Sequence, residues 1–214
     1  MYDFYDVQQN TDEWMDLRLG KVTGSNFGTI MANYGKAFGD PAKKYAVQIA
    51  LEQINGRKSV NGFSNEHTER GHEQEPIARM LYEQERFCDI TNGGFFCWGT
   101  YGYSPDGLVD DDGVVEIKSV IASVQYDTLK RGAPDPAYKW QLVGHLDCTG
   151  RDWVDYISFC ADFPDEKQNI VYRVNRSEVT EELKMLRERR AEFLGLVQDT
   201  KQTIITKLEL PCSN

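Results

Sequence analysis

The chain of 214 residues is short of several things, and each shortage excludes something. It has no run of 18 apolar residues, so no membrane-spanning helix is expected. Its N-terminus, with Asp3 and Asp6, lacks the basic-then-apolar pattern of a secretory signal. The five cysteines (Cys88, Cys97, Cys148, Cys160 and Cys212) are odd in number and never form Cys-x-x-Cys. They read as reduced thiols of a cytoplasmic protein and not as a disulfide framework. His67, His72 and His145 show no ligand spacing with them, which argues against a zinc site. Positive charge is scarce as well. The 24 Lys+Arg stand against 34 Asp+Glu, a formal net charge of −10. That balance argues against indiscriminate binding to nucleic acid, which phosphate attraction dominates. A local basic channel can still coexist with an acidic exterior. Its candidates are Arg18 with Lys21, Lys36 with Lys43 and Lys44, Arg57 with Lys58, and Lys130 with Arg131.

What is present suits one α/β domain spanning residues 1–214, with a mixed central sheet flanked by helices. Apolar residues make up 40% of the chain and charged residues 27%, ordinary for a globular protein. No repeat, low-complexity stretch or clear linker divides it. Residues 1–10 read as a tail laid on the surface. Thr11 caps a short helix, and Thr23-Gly24-Ser25 starts a second whose N-terminal N–H groups, flanked by Arg18 and Ser25, suit a phosphate. Pro41 opens a third helix, which Asn55-Gly56 stops. Another helix is expected over 68–84, with Ile77, Ala78, Leu81 and Tyr82 buried and Pro76 in its first turn or at a kink. Phe95 to Tyr103 reads as a strand. Tyr138 to Cys148 reads as a helix that puts Gln141 and His145 on one face, His145 half-buried and polar. Residues 153–160 and 170–174 form an antiparallel pair. Ser177 caps a last long helix that packs on the sheet.

The rest of the chain is organised around Tyr101 to Ser119. Val114 to Val120 is rich in β-branched residues and follows an Asp-Asp-Gly turn, so it reads as a strand. Side chains alternate along a strand, so Glu116 and Lys118 share a face and Ile117 points into the core. A hairpin through Asp110 to Gly113 returns Asp106 beside Glu116. Two convergent carboxylates bind a hard divalent cation such as Mg²⁺, with Mn²⁺ a possible substitute. Lys118 is then placed beside a metal-bound water, the arrangement that hydrolyses phosphodiesters. A Glu-x-Lys pair on a strand is by itself an ordinary solvated edge. The Ser-Pro-Asp-Gly at hairpin distance, within so apolar a stretch, gives these charges a reason to be there.

Pro105-Asp106 followed by Glu116-Ile117-Lys118 is the Pro-Asp…Glu-x-Lys nuclease signature. Its surroundings resemble the phage lambda-type alkaline exonucleases, the YqaJ-like viral recombinase family. Trp14, Leu17-Arg18-Leu19-Gly20, Thr23-Gly24-Ser25, Gly71-His72-Glu73-Gln74-Glu75, Gly102 to Gly107 and Gln141 match in order and rough spacing, over about three-fifths of the chain. The resemblance implies a restriction-endonuclease-like core. It implies an Mg²⁺-dependent exonuclease acting on double-stranded DNA ends, 5′ to 3′ and processively, as a homotrimer paired with a single-strand annealing protein. It assigns metal binding to Asp106, Glu116, the Ile117 carbonyl and Glu75, and orientation of the attacking water to Lys118. Arg18, Ser25, Ser104 and Gln141 would bind phosphate. One position departs from the pattern: a DNA-contacting lysine of the family is replaced here by Glu66. A site- or structure-specific endonuclease with the same core, and a non-catalytic DNA-binding module, remain the alternatives.

Overall fold

The structure is a computed structural model, and it describes residues 2–59 and 66–208, with side chains in the second stretch at 70–71 and 73–206. The chain begins with β1 (Asp3–Tyr5), α1 (Asp12–Arg18), β2 (Val22–Thr23), α2 (Phe27–Met31), α3 (Asp40–Asn55) and α4 (Glu66–Arg86). Short strands follow: β3 (Ile90–Thr91), β4 (Phe95–Cys97), β5 (Tyr101–Tyr103) and β6 (Gly107–Val109). The long β7 (Gly113–Ser119) leads to α5 (Ala122–Arg131), α6 (Lys139–Thr149), β8 (Trp153–Phe159), α7 (Asp165–Gln168), β9 (Asn169–Asn175) and α8 (Thr180–Leu208).

Among the described residues the strands form two mixed sheets where one was expected, because Phe95 to Tyr103 folds into a hairpin of its own. One sheet runs β1-β4-β5-β2 and the other β3-β6-β7-β8-β9. Residues 1–10 are therefore not merely a tail, since β1 pairs with β4, Phe4 opposite Phe96. In the larger sheet only β7 and β8 run parallel, with Glu116 opposite Tyr156 and Lys118 opposite Ser158. A parallel pair needs a long crossover, and α5 with α6 supplies it.

Helix boundaries follow local chemistry. The Thr11 hydroxyl accepts the Trp14 N–H, and Gly56 closes α3 in the left-handed conformation that glycine allows. Helix α4 is longer than expected and runs through Pro76. Ala78 and Tyr82 are buried, but Ile77 lies on the outer face, 44% exposed. Asn175, not Ser177, forms the capping box with Glu178 ahead of α8. Helix α8 packs chiefly on α3, α6 and α2, and touches the smaller sheet where Arg190 lies over the Tyr101 ring of β5. Leu183, Leu186, Phe193 and Val197 join Tyr45 and Ile49 in the main core, where the Tyr45 and Phe193 rings stack. A second cluster, with Ala78, Tyr82, Val115 and Ile117, lies between α4 and the other face of the β7 sheet. The middle of β7 is thus covered on both sides.

Candidate active site

The β6–β7 hairpin brings Asp106 and Glu116 together. Gly107 pairs with Val115, and the Ile117 N–H donates to Asp106 Oδ2 at 2.7 Å. Asp106 stands just before β6, and Glu116 and Lys118 share one face of β7. Glu116 is 1% exposed. Its carboxylate accepts from Lys118 Nζ and Gln141 Nε2 at one oxygen and from His145 Nε2 at the other. Gln141 and His145 come from one face of α6, four residues apart. Gln141, expected at phosphate, donates to Glu116 here. His145 is fully buried, not half-buried, with its ring centroid 4.0 Å from that of Tyr103. The i, i+4 relation to Gln141 was the only sequence signal for it.

Glu75 on α4, Asp106, Ile117 and Lys118 line one cavity of about 450 Å³, with Arg70, Gly71 and Tyr138. Among the described residues no three His, Cys, Asp or Glu side chains are gathered, as they stand, to hold an ion, Glu116 being turned onto its three internal partners. The donors nevertheless suit a hard cation in kind: carboxylates and a backbone carbonyl around one cavity. The electrostatics suit it too. Burial, then the Glu116 and Glu75 carboxylates, push Asp106 well above the usual carboxylate range, and Lys118 offsets this only in part. Burial and neighbouring carboxylates thus both disfavour the Asp106 anion, and a divalent cation would offset the carboxylate part.

The partners of Glu116 are in defined protonation states. Burial works against its ionisation, but Lys118 and then His145 outweigh it and bring its pKa down to about 2. Burial also opposes the Lys118 ammonium, yet Glu116 and Asp106 raise it above its ordinary value. Burial lowers the His145 pKa, and Glu116 restores it only in part. Nδ1 of His145 is buried with no partner among the described residues. A proton there would be a stranded donor, so burial and the partnerless Nδ1 both favour the form that has its proton on Nε2, toward Glu116.

Arg18 belongs to a second cavity of about 280 Å³, lined also by Trp14, Lys21, Tyr45, Glu52 and Lys58. Its guanidinium stacks over the Trp14 ring, 3.9 Å from the centroid. Burial lowers its pKa to about 10, which leaves it cationic at neutral pH. The Trp14 indole N–H donates to Ser104 Oγ at 2.7 Å, so Trp14 and Ser104 connect the Arg18 cavity to Asp106 two residues on. Ser25 is exposed beside this cavity, its hydroxyl 3.4 Å from that of Thr23. Helix α2 is a turn and a half, preceded by a 3-10 turn over Gly24–Asn26, so it carries little of the dipole expected of it.

This fold and this site define a nuclease of the restriction-endonuclease-like class. The chain belongs to the YqaJ-like viral recombinase family, whose domain model matches residues 13–152. Among solved structures it is similar to an alkaline exonuclease, LHK-Exo, from Laribacter hongkongensis. Identity is 29% and the TM-score 0.76, over 92% of this chain and 99% of that one. The same enzyme in complex with dAMP gives 30% identity and a TM-score of 0.77, with the same coverage. A phage related exonuclease from Haemophilus somnus 129PT shares the fold at 16% identity and a TM-score of 0.65, over 91% of this chain and all of that one. No curated protein matches.

Proposed function

We propose that this protein is a divalent-metal-dependent exonuclease that degrades duplex DNA from an end, 5′ to 3′ and processively, in phage-type homologous recombination. The observation that carries the reading is the convergence of Asp106, Glu75 and Lys118 on one cavity, with Glu116 directly behind. Kinship with the alkaline exonucleases supports it, and the dAMP bound by one of them suits a mononucleotide product. Asp106, Glu116, Glu75 and the Ile117 carbonyl would hold the metal, Mg²⁺ with Mn²⁺ as substitute. When bound, that ion would polarise the phosphate and supply a nucleophilic water.

The remaining chemistry falls to the chain's own groups. Lys118, held protonated by Glu116 and Asp106, does not take up the water's proton. It orients the water and balances charge that develops on the phosphate. Gln141 and His145 fix the Glu116 carboxylate. Arg18 in its own cavity, with Ser104 behind Trp14 and Ser25 at the rim, would receive a terminal phosphate, the guanidinium fork matching its oxygens. The whole chain acts as one nuclease unit. A homotrimer encircling DNA and working with a single-strand annealing protein is the assembly that family resemblance supports.

The test is incubation with linear and covalently closed duplex of one sequence, with Mg²⁺ and with a chelator. Mononucleotides should be released from the linear form only, and only with metal. Cleavage of the closed circle would replace this reading with an endonuclease. No cleavage of either form would leave a non-catalytic DNA-binding module.

A further inference from the structure

Arg70 also lines the catalytic cavity, yet none of the roles above uses it. It reaches the cavity from α4. Its Nε donates to Ser119 Oγ and its Nη2 to the Ser119 carbonyl, both at 3.3 Å. The Ser119 hydroxyl in turn donates to Gln74 Oε1 at 2.5 Å. Alternation along β7 puts Ser119 on the opposite face from Lys118. The cavity mouth therefore has a cation on each side of the strand, Lys118 on one and Arg70 on the other. The two are not equivalent. Lys118 is 24% exposed and bound to the nearly buried Glu116, whereas Arg70 is held by Ser119 at the other side of the strand. The other charged groups lining the cavity, Glu75, Asp106 and Asp135, are acidic. A phosphodiester entering the cavity would approach these acidic groups, and a guanidinium in addition to Lys118 lowers that cost.

We propose that Arg70, aimed by Ser119 and Gln74, binds a phosphate of the DNA strand being cut, inside the catalytic cavity. The proposal rests on the nuclease reading above. A guanidinium suits the task because it stays charged and presents its donors as a planar fork to phosphate oxygens. Two bonds to Ser119 limit its rotamers before DNA arrives, which lowers the ordering cost of binding.

The experiment measures binding of a short linear duplex by fluorescence anisotropy at several salt concentrations. Asp106→Asn serves as the non-cleaving background. Adding Arg70→Gln should weaken binding by about tenfold or more, as for loss of a charged hydrogen bond. It should also lower the slope of log affinity against log salt by about 0.7–0.9, one phosphate contact. Arg70→Lys should restore most of the slope but not the full affinity, since charge returns without the fork. In the cleaving protein, Arg70→Gln should raise KM more than it lowers kcat. An unchanged salt slope in a variant with normal thermal stability overturns the proposal, and so does an Arg70→Lys slope no different from Arg70→Gln. Failure of the wild-type chain to cleave linear duplex with Mg²⁺ would instead sink the nuclease reading, a separate outcome.

Discussion

Asp106 carries a conflict between stability and activity that can be measured. An unfolded aspartate titrates near about 3.9, and in the folded protein burial and two carboxylate neighbours raise that value. Below both values the group is protonated in both states and stability is unaffected. Between them the unfolded chain loses its proton first, so stability falls as pH rises. Above the folded value the penalty is complete. Asp106→Asn should therefore abolish cleavage yet raise the metal-free melting temperature at neutral and alkaline pH, by about 2–4 °C for each 1 kcal/mol recovered. The gain should vanish in acid. Paired melting curves across pH check this, and a variant less stable than wild type at pH 8 would refute the charge-crowding account. Lys118 gives the opposite result. Lys118→Met strips Glu116 of its cation and should cost about 3–5 kcal/mol, the usual penalty for a buried charge losing its partner. Turnover should fall by about two to three orders of magnitude. Urea denaturation and single-turnover rates measure the two effects. Asp106, Glu116 and Lys118 were legible in the sequence because one hairpin holds all three and strand alternation fixes their faces. Glu75 was readable only through the Gly71-x-x-x-Glu75 match, being one glutamate among several on its helix. His145 was misjudged because its burial arises from packing against Tyr103, which no local pattern encodes.

At the scale of elements, α6 matters most for the site, and a glycine sets its distance. A Cβ at Gly144 would lie 2.4 Å from the Phe27 ring and 3.1 Å from Tyr103. The helix can sit this close only without a side chain there. Gly144→Ala should push α6 outward, cost about 1–3 kcal/mol as overpacking, and lower turnover by drawing Gln141 and His145 off Glu116. Chemical denaturation together with kcat tests it, and full activity in a destabilised variant would show that α6 does not position Glu116. The far end of the helix is tied down by Asp147, which accepts from Arg187 at 2.5 Å and from Arg190 at 2.6 Å. The residue pattern predicted α6 and the long α8 as helices, but not that the two pack on each other. It did not predict β1, whose three residues form a strand only because β4 is there to pair with them.

At the scale of the whole molecule, the net charge of −10 disfavours indiscriminate DNA binding, which phosphate attraction dominates. A homotrimer would multiply the catalytic and Arg18 cavities around one duplex, and light scattering should give three times the mass of the chain. A monomeric mass at working concentration would remove the trimer from the proposal. The α/β class was readable from the alternation of helical and strand patterns. The division into two sheets was not, since it depends on which strands pair at a distance. One such pairing carries a kinetic consequence. The β6–β7 hairpin closes across the turn at Asp110 to Gly113 and can form within microseconds. The parallel pairing of β7 with β8 must wait until α5 and α6 have been synthesised and folded across the gap from Ser119 to Trp153. During synthesis the acidic half of the site is therefore assembled before Gln141 and His145 arrive to hold it. The hairpin can gather Asp106 and Glu116 before their support has been made, and the site is complete only once α6 has docked against β7.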